Sequence, residues 1–228
     1  MPDSKHHFTN KLPVVRAMVM GANDGLISIS ALLVGLASAN SEKESLFIVS
    51  IIGLLSGAIS MAAGEFLSVS AQKDSEIADI KRESESHKNH PQEEHDELIE
   101  LFVERGISKK LAKDIADEAS VDKELLLKLH LKEELGFEGE IKSNPLQASL
   151  VSFMAFMVGG SVPVITSMIV SLGSVILYTT LSSILGLVLL GGVSGYLGGS
   201  SPFKGALRVG IIGSIILVFS INLGKILG

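Results

Sequence analysis

The sequence predicts an all-α membrane protein: five transmembrane helices, with a soluble domain of three to four helices inserted between the second and the third. Three observations carry this. At 46% hydrophobic residues, 23 glycines and a mean hydropathy of +0.44, the 228-residue chain is too apolar for an ordinary soluble domain. Five apolar runs are long enough to cross a hydrocarbon core, which takes about 20 residues. One polar segment, residues 71–142, gathers 20 of the 25 acidic residues and 12 of the 19 basic ones, a local net charge of -8. The chain has no cysteine, which excludes a disulfide scaffold and a zinc finger.

The apolar runs lie at about 14–39, 46–70, 146–170, 174–198 and 206–227. The first is too long for the apolar core of a signal peptide and no small-residue cleavage site precedes the second, so the N-terminus is expected to be retained. Residues 146–203 carry no charge, and these 58 residues are too many for one crossing, so two helices are expected with a break at "SLGS", Ser171 to Ser174. Small residues recur in the spans, as at Gly53, Gly57, Ser60 and Gly64, and let helices approach closely. Between Gly64 and Pro91 there is neither Gly nor Pro. The second helix is therefore expected to leave the bilayer and run on to about Lys88, about 27 Å further at 1.5 Å per residue.

Pro91 permits a new start, and three shorter helices follow. "PQEEHDELIELFVERG" opens with Pro near N1 and stops at Gly106; "SKKLAKDIADEAS" has Ser108 as N-cap; "DKELLLKLHLKEELG" has Asp122 as N-cap and Gly136 just past its end. Leu98, Leu101 and Phe102, then Leu111 and Ile115, then Leu125, Leu126 and Leu129 recur at helical spacing, giving stripes that must bury one another. Lys5, Lys11 and Arg16 precede the first span and Lys204 and Arg208 separate the fourth from the fifth, whereas the opposite side holds only Lys43 and Lys225. Positive residues stay inside, so the N-terminus and the inserted domain are expected in the cytoplasm and the C-terminus outside or in a lumen.

The insert also holds four of the six histidines. His87, His90, Glu83, Glu94 and Glu97 come from the extended second helix and the one after it; His130, Glu133 and Glu134 lie on the last, where positions 130 and 134 share a face. Oxygen ligands with an occasional imidazole suit Fe²⁺, Mn²⁺ or Zn²⁺ and not Cu(I), which prefers sulfur. The bland alternative is a charged face that is merely solvated. No Glu has His three residues later, which argues against the Glu-x-x-His pairs of a di-iron oxidase.

Within the first span, "AMVMGANDGLISISALLVGLAS" carries a carboxylate, Asp24, about 10 residues from its cytoplasmic end, and Met61 lies about 9 residues from the cytoplasmic end of the second. Both therefore sit at a depth of roughly 14–15 Å. Glu65 follows Met61 by one turn on the same face. An acid inside a span costs a few kcal/mol and ordinarily faces a bundle interior or an aqueous path; a structural hydrogen bond between helices is the other reading.

"NDGLISISALLVGLAS" (Asn23 to Ser38), "GAISMAAGEFLSVSAQKD" (Gly57 to Asp74), "HLKEELG" (His130 to Gly136) and "NPLQASLVSFMAFMVGGSVPV" (Asn144 to Val164) resemble the vacuolar iron transporter family, in order and over nearly the whole chain. The resemblance implies a homodimer of five-helix protomers, an ion path between protomers lined by the first helices, and a cytoplasmic metal-binding domain that feeds it. It implies Fe²⁺ moving out of the cytosol in exchange for protons. Asp24 and Met61 match the family's membrane ligands, and Glu83, Glu94, Glu97 and Glu134 fall where its cytoplasmic carboxylates sit. Two positions depart from it: His130 stands where plant relatives carry a methionine, and Gly53 where they carry a glutamate, with Glu65 offering an acid at another level.

The resulting expectation is a transporter and not an enzyme, with no prosthetic group. Its partners are the lipid bilayer, divalent ions (Fe²⁺, Mn²⁺, Co²⁺ or Zn²⁺) and a second copy of itself, with no nucleic acid. The membrane path is expected at Asp24, Met61 and Glu65, and the soluble metal site at Glu83, Glu94, Glu97, His130 and Glu134, with Glu133 and His90 as helpers. The expected membrane is a prokaryotic plasma membrane, or a vacuolar one in a eukaryote. A membrane-anchored metal buffer or sensor is the alternative.

Overall fold

The computed structural model describes residues 12–135 and 143–228. Lys5 and Lys11, used above for orientation, and Gly136, expected just past the last short helix, lie outside the described residues. The described residues form α-helices joined by turns, without a strand. In order these are α1 (Leu12–Ser38), α2 (Lys43–Asn89), α3 (Pro91–Glu104), α4 (Lys109–Ala119), α5 (Lys123–Leu135), α6 (Pro145–Ile169), α7 (Val175–Leu197) and α8 (Pro202–Leu227). Among them α1, α2, α6, α7 and α8 are long and apolar enough to cross a membrane. The chain divides into two compact units, the boundaries falling within α2 after Ser68 and again before Pro145.

In the unit built from the five long helices, α1 is central and packs on α6, α7 and α8. Its closest approach is to α6, and glycine makes it possible. A Cβ on Gly25 would strike the Phe156 carbonyl oxygen, and one on Gly159 the Ala22 carbonyl oxygen, so the two backbones touch where side chains would otherwise stand. On the face of α1 towards α7, the buried Ser30 and Ser183 hydroxyls hydrogen-bond at 2.6 Å. Leu33, Leu46, Leu54, Ala58, Phe156, Val164 and Val175 form the apolar core. The α2 backbone stands farther off than its neighbours' do. It meets them through side chains, with Leu54 over Gly160 and the Phe156 ring in the notch left by Gly57.

The uncharged stretch does break at "SLGS", where Leu172–Ser174 form one turn of 3-10 helix before α7. Lys43, at the start of α2, donates from Nζ to the Val170 carbonyl at 2.8 Å, closing the C-terminal end of α6. Ile52, Ile59, Leu181, Leu185, Ile215 and Phe219 point outward and are more than half exposed. Such an apolar exterior is what lipid requires and water penalises.

The second unit is shaped by its stop and start residues. α2 continues unbroken to Asn89, one residue past the expected end. Pro91 then starts α3 at its first turn. Gly106, at φ +90°, supplies the left-handed turn that ends it. Ser108 accepts from the Leu111 amide at 3.4 Å, and Asp122 from the Glu124 amide at 2.9 Å, capping α4 and α5 as expected. The core is Leu98, Ile99 and Phe102 of α3 against Ala112, Ala116 and Ala119 of α4 and Leu126 of α5. The expected apolar stripe is corrected here: Leu111 and Leu125 are exposed, and α4 buries its alanines. Small side chains at that spacing let α4 lie close to α3, and Leu111 falls outside the seam. Two polar clasps complete the unit: His95 Nε2 with Asp117 at 2.8 Å, and Arg105 Nε with Glu133 at 2.7 Å.

Candidate functional site

Four side chains of the second unit converge. Glu83 and His87 lie one turn apart on α2, Glu94 is in the first turn of α3, and His130 is on α5. One ligand atom from each lies within 4.8 Å of all the others. His130, fully buried, places Nδ1 at 2.8 Å from Glu83 Oε1 and 3.2 Å from Glu94 Oε2. His87 Nε2 lies 3.3 Å from Glu83 Oε1 and 3.8 Å from Glu94 Oε2. The imidazoles meet edge to face, with centroids 4.6 Å apart. The Ser86 hydroxyl donates to Glu94 Oε1. Two buried nitrogens, His87 Nε2 and His130 Nε2, have no hydrogen-bond partner among the described residues.

The electrostatics of this group suit a cation. Burial pushes the Glu83 carboxyl up, against the His130 hydrogen bond, and the Glu94 charge adds to it. Burial also holds the His87 imidazole below its ordinary range, so it is neutral at pH 7. Two carboxylates in one partly dry pocket are costly unless a positive charge joins them. A divalent ion would neutralise both and be met by the ring nitrogens that face them, His87 Nε2 and His130 Nδ1. Two imidazoles and two carboxylates suit Zn²⁺, Fe²⁺, Co²⁺ or Mn²⁺.

The other expected ligands sort by position. Glu97 and Glu134 are exposed at the rim. The Glu97 charge acts on His87. Partial burial and the nearby Glu83 raise the Glu134 carboxyl. Glu133 is taken up by Arg105, whose Nη2 also donates to the Glu133 carbonyl at 2.9 Å. His90 is largely exposed and lies 3.5 Å from Glu93, outside the group. Its place is taken by His87, which the expected ligand set left out. The signal for it was the four-residue step from Glu83, which puts both on one face of α2.

In the first unit, Asp24, Ser28, Gly57, Ser60, Met61, Gly64, Glu65 and Phe156 line a cavity of about 390 Å³ between α1 and α2. Asp24, Met61 and Glu65 thus share one space. The Ser28 hydroxyl turns back to donate to the Asp24 carbonyl at 2.6 Å, so it does not hold the carboxylate. Among the described residues no side chain ties the Asp24 carboxylate to another helix, as a structural hydrogen bond would. Gly53 is not part of this lining, and a Cβ there would lie 2.9 Å from Leu32 Cδ2.

Helices of this length and apolarity, dressed outside with Ile, Leu and Phe, define an integral membrane protein. More particularly, the chain belongs to the VIT family, whose profile matches residues 15–225. Among its relatives is a protein of Acanthamoeba castellanii named vacuolar iron transporter, 34% identical over 92% of this chain and 77% of its own length. Vacuolar iron transporter 1 of Eucalyptus grandis is 28% identical over 96% of this chain and 88% of its own length. The Arabidopsis thaliana protein of the same name is 26% identical over 98% and 89%.

Proposed function

We propose that this protein transports divalent metal, Fe²⁺ foremost, out of the cytosol in exchange for protons, along a path formed where two protomers meet. The observation that carries the reading is the cavity holding Asp24, Met61 and Glu65 in helices long enough to span a bilayer. In a single protomer Asp24 is exposed within a helix long and apolar enough to span a bilayer, where a carboxylate is costly. A second copy related by a two-fold axis removes that cost and presents each donor twice, as two carboxylates and two thioethers. The thioethers bias the ring away from Mg²⁺ and Ca²⁺, which demand oxygen, and bind weakly enough for release. Glu65 holds the ion or a proton one turn away.

In this reading residues 1–70 and 143–228 form the membrane part and residues 71–142 a cytoplasmic domain. Glu83, His87, Glu94 and His130 of that domain collect the metal, with Glu97 and Glu134 drawing ions to the rim. The family membership and the names of the relatives support metal transport. The positive residues flanking the spans support a cytoplasmic N-terminus and an external C-terminus. A cysteine at Ser41 should then react with an impermeant thiol reagent added outside, and one at Ser120 should not.

A membrane-anchored buffer would use the same soluble cluster and leave the cavity idle. Uptake into sealed proteoliposomes separates the two. Asp24→Asn keeps size and hydrogen bonding but removes charge, so Fe²⁺ uptake should fall at least about tenfold, about 1.4 kcal/mol in barrier. Uptake at the wild-type rate in this variant would make Asp24 a packing residue and sink the mechanism.

A further inference from the structure

Arg16 brings a fixed positive charge to the edge of the cation cavity. Its Nη2 lies 3.9 Å from Oε1 of Glu65, the acid that lines the cavity with Asp24 and Met61. Among the described residues this is the one ion pair of the unit that holds the five long helices. The partners differ in setting: the Arg16 side chain is 60% exposed, whereas that of Glu65 is 12% exposed. At 3.9 Å the pair is a charge contact without a tight hydrogen bond, and the exposed guanidinium can leave it without disturbing the packing around Glu65. Arg16 and Asp24 are eight residues apart on α1, about 12 Å along its axis, so the guanidinium serves Glu65 and leaves Asp24 free.

We propose that Arg16 is a tethered counter-ion which an entering cation must displace from Glu65, and that it thereby selects divalent over monovalent ions. The inference rests on the transport reading above. A monovalent ion that replaces the guanidinium exchanges one positive charge for another and gives up its own hydration, so it gains nothing. A divalent ion brings twice the charge to the same carboxylate and wins the exchange. Once the ion has passed, the tethered guanidinium returns at high local concentration, which clears Glu65 and resists back-binding.

The test is initial-rate uptake by proteoliposomes, with Mn²⁺ as the divalent probe and Tl⁺ as the monovalent one. Wild type should take up Mn²⁺ and exclude Tl⁺. Arg16→Gln should lower the KM for Mn²⁺ at least about fivefold, lower kcat because the ion leaves more slowly, and admit Tl⁺. Arg16→Lys keeps the charge and should still exclude Tl⁺, which separates counter-ion from packing. In Glu65→Gln the counter-ion has nothing to guard, so adding Arg16→Gln should leave KM unchanged. An Arg16→Gln protein with wild-type KM and no Tl⁺ flux would overturn the proposal, as would a KM shift that persists in the Glu65→Gln background. Failure of the intact wild type to move Mn²⁺ would instead overturn the transport reading, and this role with it.

Discussion

His87 is the group member that lay outside the expected ligand set, and removing it tests the candidate centre of the second unit directly. If Glu83, His87, Glu94 and His130 hold one divalent ion, metal at a free concentration of about 100 times Kd stabilises the folded unit by about 2.7 kcal/mol. In a melt of the intact 228-residue chain each kcal/mol moves the melting temperature by about 2–4 °C, so wild type should gain roughly 5–11 °C. Loss of one ligand of four is expected to weaken binding about 10–100-fold, about 1.4–2.7 kcal/mol. At the same metal concentration His87→Ala then keeps only about 0.4–1.4 kcal/mol of linkage, roughly 1–6 °C. Calorimetric melting of the full-length protein in detergent, chelator-treated and then loaded with Co²⁺, reads this difference. Each variant is its own metal-free reference, so a change in basal stability cancels. His90→Ala removes an exposed imidazole outside the group and should gain as much from Co²⁺ as wild type. Equal gains in His87→Ala and wild type, or a loss in His90→Ala alone, would refute the assignment.

The Glu83 carboxyl is raised by burial, so its contribution to stability is present at acid pH and is lost as pH rises through its raised value. Glu134 acts in the same sense, while the lowered His87 contributes above the ordinary histidine range and loses its contribution as pH falls through its depressed value. The metal-free protein should therefore lose stability from the two acids as pH rises above the ordinary glutamate range, and saturating metal, which displaces the protons, should reverse that slope; melting at several pH values with and without Co²⁺ decides it. In the membrane unit Gly25→Ala drives a methyl into the Phe156 carbonyl and should cost about 1–3 kcal/mol, read as a melting temperature several degrees lower in detergent. An unchanged melting temperature there would mean that α1 and α6 are not packed backbone to backbone.

Much of the helix layout was legible because its punctuation is local. Pro91, Gly106, Ser108 and Asp122 act on the backbone within one turn of themselves, and the five long apolar runs need only to be counted against a bilayer. Sorting side chains around the centre of the second unit depends on how helices dock, and spacing does not settle that. His87 and His90 read alike in sequence, yet only His87 points into the seam, because the chain reverses at His90. Glu133 and Glu134 are neighbours, and Arg105, reaching from the end of α3, claims the first. Leu111 outweighs Ala112 in hydropathy, but close packing of α4 selects the smaller residue.

The touching backbones of α1 and α6 also limit how the molecule can work as a machine. Two helices in contact through Gly25 and Gly159 leave no room for a side chain between them, so a displacement of one against the other meets backbone at once. α2 has no such lock; it leans on that pair through the Phe156 ring seated at Gly57, a contact that tolerates rocking. Asp24 therefore sits on the helix pair held by direct backbone contact, while Met61 and Glu65 sit on a helix held by side chains. The two walls of the cavity thus differ in what fixes them: backbone against backbone on the side of Asp24, side-chain contacts on the side of Met61 and Glu65.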